Sequence, residues 1–270
     1  MYPTPLKAVV RNLTENVVIA STPFTRAGII NFGARMSLFH YNGEVIVWSA
    51  IPYGDEVVRS LKLLTGREKD FNVTYLIIPD AEHTMAAKSF KEQYPNLKII
   101  GMDAAANAVP VPIDYPITSK YANKLIDSGV LKEVGIQDES ILSNFEFVYL
   151  PSHRNKELVL FDKNSKILFE ADLLLCLGPK GTKLEQYSPE LGFPDNFNPH
   201  GGTSFLAGFT HPDSGFFKGL VNRLVKSKDL EVRKGLQTIY NWDFTKMVPC
   251  HGNVINEGKP YFKKFFDFVN

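Results

Sequence analysis

Four segments of the chain carry a short apolar run straight into a histidine or a carboxylate, each beside a proline, glycine or small residue. They are Tyr75–Thr84 (YLIIPDAEHT), Phe147–Asn155 (FVYLPSHRN), Lys166–Leu175 (KILFEADLLL) and Met247–Val254 (MVPCHGNV). A buried strand that stops on a polar side chain puts that side chain at the rim of a sheet. Ligand sites of α/β proteins gather at the carboxyl ends of strands, so the four tips are candidates to converge. Three of the six histidines, His83, His153 and His251, sit there together with Asp172. Neutral imidazole and carboxylate are donors that suit zinc or iron.

The rest of the chain supplies strands and helices in an order that constrains the fold. Val17–Ala20 is an apolar run, and Met36–Tyr41 and Glu44–Ala50 flank Asn42-Gly43, a strong hairpin signal. Asp55-Glu56 opens a helix that Gly66 can close. The β-branched run Val73–Ile78 predicts a buried strand, residues 84–94 a helix ended by Pro95, and Leu97–Gly101 a further strand. Strand, helix and strand in succession imply a parallel pair with a crossover. Residues 102–138 read as helix and loop interrupted by Pro110, Pro112 and Pro116. Three β runs follow, Phe145–Leu150, Leu158–Asp162 and Lys166–Glu170.

Residues 178–214 are rich in Gly, Pro, Asn and Ser and keep no period. A loop that long usually covers a site, and both its ends flank one domain, so a cover over the cleft is expected. Helices at Gly215–Lys226 and Leu230–Asn241, a strand at Met247-Val248 and a closing helix at Tyr261–Val269 complete the chain. This order predicts a single domain over residues 1–270, with two mixed sheets facing each other and helices outside.

Composition removes several functions. Thirty basic and 29 acidic residues leave a formal charge of +1, which gives no purchase on nucleic acid or anionic membrane. No apolar stretch approaches the roughly 18 residues of a membrane span. Cys176 and Cys250 are too few for a disulfide framework, and the first residues lack a signal-peptide pattern. A cytoplasmic protein acting on a small molecule is expected, and the sequons at Asn12 and Asn72 are read as incidental. Oligomeric state is left open.

Taken in order, the four segments resemble the motifs of the metallo-β-lactamase superfamily from about Met36 to Pro260. The resemblance implies an αββα sandwich. KILFEADLLL is similar to the strand that delivers the bridging aspartate, which makes Asp172 that residue; LPSHRN is similar to the third-motif histidine segment, with His153. VPCHGNVINEG resembles the final histidine motif, with His251. IPDAEHT stands where His-x-His-x-Asp-His belongs: Ile78 and Asp80 replace the first two histidines, Glu82 the aspartate, and His83 survives. Arg154-Asn155-Lys156 replaces a Gly/Pro-containing stretch.

The pattern is similar to a divergent branch of the superfamily with a degenerate first metal motif. By position, Glu82, His83, Asp172 and His251 make up one site. His153, Asp172 and Asp80 make up the other, depleted one. One divalent ion is favoured over two, zinc over iron. The implied activity is hydrolysis of a small ester, thioester, lactone or phosphoester by metal-activated water, with Glu82 or Asp80 handling the water's proton.

Two other classes compete. A degenerate binding protein would explain the loss of histidines at 78 and 80, and a mononuclear iron oxidoreductase would accept the same His/His/carboxylate set. The remaining residues have plainer readings: His40 structural, His200 and His211 solvated on the long loop, Cys176 and Cys250 small buried hydrophobes, Trp48 and Trp242 core. The lysine- and phenylalanine-rich C-terminus is read as an amphipathic end helix. Gly201-Gly202 follows no strand and is not a phosphate loop.

Overall fold

The computed structural model describes residues 1–270. The chain begins with β1 (Val9–Thr14), β2 (Val17–Thr22), the two-residue strands β3 (Thr25–Arg26) and β4 (Ile30–Asn31), β5 (Ala34–Tyr41) and β6 (Glu44–Trp48). After them come α1 (Asp55–Thr65), β7 (Val73–Ile77), α2 (Ala87–Gln93), β8 (Lys98–Met102), β9 (Tyr115–Ile117), β10 (Leu125–Ile126), α3 (Ser128–Val134) and α4 (Glu139–Leu142). The second half holds β11 (Phe145–Leu150), β12 (Glu157–Asp162), β13 (Ile167–Glu170), α5 (Gly215–Val225), α6 (Leu230–Asn241), β14 (Lys246–Pro249) and α7 (Gly258–Phe265).

Two mixed sheets result. One has seven strands in the order β1-β2-β5-β6-β7-β8-β9, the other five in the order β10-β11-β12-β13-β14; β3 and β4 form a separate small hairpin. Side-chain alternation explains how the layers stack. On β11, Phe145, Phe147 and Tyr149 join the core shared with the seven-stranded sheet. Their neighbours Val148 and Leu150 face the other way, onto Val221 and Val225 of α5, Leu236 of α6 and Phe262 of α7. A strand turns successive residues to opposite faces, so one sequence feeds both cores. Phe39 of the first sheet meets Phe145 and Phe169 of the second edge to face, at 5.0 and 4.9 Å. On the outer face of the first sheet, α1 lies over β1, β2 and β5.

Local chemistry accounts for the clearest boundaries. Asn42 and Gly43 both take positive φ (53° and 78°), the geometry of the tight hairpin turn that matches strand twist. Gly66 closes α1 in the left-handed conformation at φ 66° and donates its N–H to the Lys62 carbonyl. The stretch from 102 to 138 differs from expectation, because β9 and β10 lie in what reads as helix and loop. Both are only two or three residues long, too short to show a period. α2 starts at Ala87, not Thr84, since residues 84–86 form a turn ahead of it. α7 starts at Gly258, with Pro260 in its first turn, where a missing N–H costs nothing.

Residues 178–214 form short 3₁₀ turns packed on the N-terminal strands. The anchor is the buried Arg35 on β5. Its guanidinium donates to Ser21 Oγ (2.9 Å), to the Pro249 carbonyl (2.6 Å) and to Glu185 of the long segment (3.1 Å). Glu185 also accepts from Ser21 Oγ at 2.9 Å and pairs with Arg11. Glu185→Ala leaves Arg35 buried without its counter-charge, which typically costs about 3–5 kcal/mol. Urea denaturation should show a loss of that size; a change under about 0.5 kcal/mol, typical of surface sites, would show that the ion pair does not brace the segment. His200, expected in solvent, is buried: its Nε2 meets the Leu177 carbonyl at 2.9 Å.

Candidate metal centre

The two sheets deliver their tips to one end of the sandwich. β13 and β14 run parallel with Glu170 opposite Pro249. Two residues further on, Asp172 and His251 therefore stand side by side. The turn after β14 is fixed by Gly252, whose φ is +99° and where a Cβ would lie 1.9 Å from the Cys176 carbonyl oxygen. Only glycine fits there. The third group comes from the other sheet: β7 ends at Ile77, and the turn that follows carries His83.

His83, Asp172 and His251 form one donor cluster, with all ligand atoms within 4.8 Å of one another. Hydrogen bonds on the far side of each ring settle where the lone pairs point. His83 Nδ1 meets Asp80 Oδ1 at 2.9 Å and His251 Nδ1 meets the Gly33 carbonyl at 2.7 Å. Both partners only accept, so each Nδ1 carries the proton and each Nε2 presents a lone pair inward. The two Nε2 atoms lie 3.2 Å apart, and His251 Nε2 is 3.2 Å from Asp172 Oδ1. Three acceptors facing one point repel unless a cation or a proton sits among them. Two imidazoles and a carboxylate are a donor set for a divalent transition metal, so the residues present fit such an ion.

Asp80 does not enter the cluster, contrary to the expectation of a ligand or proton carrier. Its Oδ1 accepts from the backbone N–H groups of Glu82 (2.7 Å) and His83 (2.8 Å) as well as the His83 ring. This carboxylate shapes the turn and orients the histidine. Ile78 is buried in the core. Glu82 is half exposed, lines the cavity beside His83 and faces Arg26 at 3.7 Å.

His153 also lies outside the donor cluster. It is buried on the other flank of Asp172, where its Nδ1 accepts the Asn155 N–H at 3.3 Å. That contact puts the ring proton on Nε2, so in this arrangement His153 has no free lone pair to offer. Asn155 in turn donates its side-chain amide to Asp172 Oδ2.

Charge follows from burial and neighbours. Burial disfavours a charged His83, but Asp80, with Asp172 and Glu82 behind it, outweighs burial and lifts its pKa to about 9. Burial likewise opposes ionisation of Asp172, yet the contact with His251 and the nearby His83 hold its carboxyl far below the usual range. Burial pushes His153 down, outweighing Asp172 and Asp80. Glu157, fully buried, accepts the backbone N–H of Ala171 (2.6 Å) and fixes the chain leading into Asp172. Burial and then Asp80, Glu170 and Asp172 push its pKa well up.

Two cavities flank Asp172 and Arg26. One, of about 350 Å³, opens over the donor cluster and is walled by Tyr2, Phe24, Ala27 and Met85. The other, of about 270 Å³, holds His153 and Arg154 and runs along α5. No residue of 178–214 lines either one. The cover expected from that loop is supplied by the N-terminal segment and the β3–β4 hairpin. Sequence reasoning missed the roles of Arg26, Gly33 and Glu157, which sit in none of the four segments, and of Asn155, which sits in one but was given no function. The turn residues Ala27-Gly28 between two short runs were the one available signal for the hairpin.

No protein-family profile matches the chain, and no curated protein matches it in sequence. Solved structures match it end to end. DIM-1 metallo-β-lactamase exposed to ceftazidime aligns over 99% of this chain and 97% of its own, at 12% identity and a TM-score of 0.57. A metallo-β-lactamase from Pontibacter korlensis aligns over 97% and 98%, at 11% identity and 0.54. One from Erythrobacter litoralis, with β-mercaptoethanol in the active site, aligns over 96% and 95%, at 12% and 0.58. The chain has the metallo-β-lactamase fold. Within that fold it is a protein whose strand tips bring together two histidines and one aspartate. No helix is long and apolar enough to cross a membrane.

Proposed function

We propose that the protein is a metal-dependent hydrolase that holds one divalent ion, zinc in preference to iron, on His83, Asp172 and His251. The observation that carries this reading is the pair of inward Nε2 atoms 3.2 Å apart, each ring fixed by a partner behind it. Three protein ligands with a further position open to solvent is the arrangement of catalytic rather than structural zinc sites. A divalent ion there supplies Lewis acidity, which polarises a carbonyl or phosphoryl oxygen and acidifies water. Among the chain's own groups, Asp80 and the Gly33 carbonyl orient the two imidazoles, and Asn155 holds the second oxygen of Asp172. Glu82, on the cavity wall, is the carboxylate placed to take a proton. Tyr2, Phe24 and Met85 form the cavity's apolar wall.

The substrate class proposed is a small ester, thioester, lactone or phosphoester. Protein purified without added metal should hydrolyse a p-nitrophenyl ester, lose that activity to a chelator and regain it with zinc. Retained metal with no turnover of any of the four classes would support a binding protein instead, a reading favoured by Ile78 and by Asp80 lying outside the donor cluster. The two-histidine, one-carboxylate set also suits mononuclear Fe(II). Iron as the resident metal, with dioxygen uptake in place of ester hydrolysis, would favour that oxidoreductase.

A further inference from the structure

The cavity of about 270 Å³ on the far flank of Asp172 has no part in holding a metal, and its lining is divided between two kinds of element. Its apolar wall is Phe217, Leu220, Val221 and Leu224 of α5, faced by Leu173 and Leu175 just past the tip of β13. Its polar lining comes from the β11–β12 turn, as His153, Arg154 and Asn155, from Arg26 of β3 and from Asp172 itself. Positions 217, 220, 221 and 224 share one helix face. Such a stripe normally packs against a sheet; here Phe217 and Val221 are buried while Leu220 is 37% exposed. One turn before Leu220, Phe216 is 73% exposed, which carries the apolar surface beyond the cavity. An apolar slot that shares Asp172 and Arg26 with the cavity over the donor cluster is a place for a hydrocarbon chain attached to the reacting group.

We infer that this slot is an acyl-chain subsite and that the substrates are carboxylic esters or thioesters with an unbranched apolar acyl group of medium length. The inference rests on the hydrolase reading above. The acyl chain lies along α5 between Leu220, Leu224 and Leu175, the acyl carbon sits beside Asp172, and the alcohol or thiol part occupies the cavity walled by Phe24 and Met85. In the reaction, water's oxygen bonds to the acyl carbon, the bond to the leaving oxygen or sulfur breaks, and that atom takes up a proton. The products are the carboxylic acid and the alcohol or thiol. Arg26 and Arg154 are the cations available to the acid.

The test uses p-nitrophenyl acetate, butyrate, hexanoate and octanoate, together with calorimetric titration of the same protein with sodium butyrate and octanoate. A buried methylene favours binding by about fourfold, so kcat/KM should climb by about that factor per added carbon until the slot is full, and octanoate should bind more tightly than butyrate. Leu220→Trp and Leu224→Trp both project bulk into the slot from a partly exposed helix face, and each should flatten the chain-length slope and weaken octanoate binding. Two variants guard against one failing to fold. Ester turnover with no dependence on chain length, or a slope that neither substitution changes, would overturn the subsite while leaving the hydrolase reading intact. Octanoate binding that both substitutions weaken, without turnover of any ester, would keep the subsite and overturn the hydrolase reading.

Discussion

Replacing His251 or His83 with alanine will abolish the stabilisation that a divalent ion gives this protein. An ion that binds only the folded chain stabilises it by about 2.7 kcal/mol at a free concentration a hundred times its Kd. For a chain of this size that corresponds to roughly 5–10 °C in melting temperature. Either substitution removes one of three donors and leaves the ion with two, so the zinc-dependent rise should vanish. His153→Ala should keep it, because His153 stands outside the cluster with its ring proton on Nε2. The pH dependence has a definite sign. Without metal, His83 is lifted to about 9, so its contribution to stability is complete below the unfolded value of about 6.5 and is lost as pH rises through about 9. Proton and ion compete for the same Nε2, so the metal-linked rise in melting temperature should grow over that interval. A rise that His83→Ala leaves unchanged would place the ion elsewhere.

Asp80→Ala is expected to be nearly as damaging, although Asp80 lies outside the donor cluster. Its Oδ1 serves three donors: two backbone N–H groups and the His83 ring. Truncation strands those donors in a largely buried turn at about 1–3 kcal/mol for each one left unsatisfied. It also frees His83 to change tautomer. Loss of a partner behind a ligating histidine typically lowers metal affinity about 10–100-fold. Calorimetric zinc titration should show a drop of that size, and Asp80→Asn, whose carboxamide oxygen can still accept, should recover part of it. If Asp80→Ala binds zinc as the parent does, the turn is held by its backbone alone and Asp80 is not a positioning residue.

The sequence revealed the fold where periodicity was long and the site where chemistry sat on strand tips. The apolar runs Phe145–Leu150 and Leu158–Asp162, the Asn42-Gly43 turn and the cap at Gly66 are local signals, and the structure has each in place. The strands β9 and β10 were invisible because two or three residues carry no period. Convergence of Asp172 and His251 followed from strand order, since parallel neighbours with paired ends bring their next residues together; His83 joins them from the other sheet. The division of labour around them did not follow from strand order. Ligand and positioning residue are both written as an acidic or histidine residue after a strand. Which way each side chain turns depends on a backbone N–H or carbonyl that only the folded chain supplies. Asp80, read as a ligand or proton carrier, has one oxygen taken up by two amides of its own turn and the His83 ring; His153 Nδ1 is taken up by the Asn155 N–H. The long segment was assigned to the cleft from its length and composition, whereas Glu185 ties it to Arg35 and Tyr187 ties it to the Gly33 N–H and the Phe24 carbonyl.

The most direct test of the central claim is elemental analysis after zinc saturation and removal of unbound ion. The arrangement described here predicts close to one zinc per chain in the parent and in His153→Ala, and close to none in His83→Ala and in His251→Ala. Two ions per chain in the parent would mean that His153 and Asp80 turn inward and complete a second site. No ion in the parent, or an unchanged content in His83→Ala, would contradict the metal centre itself.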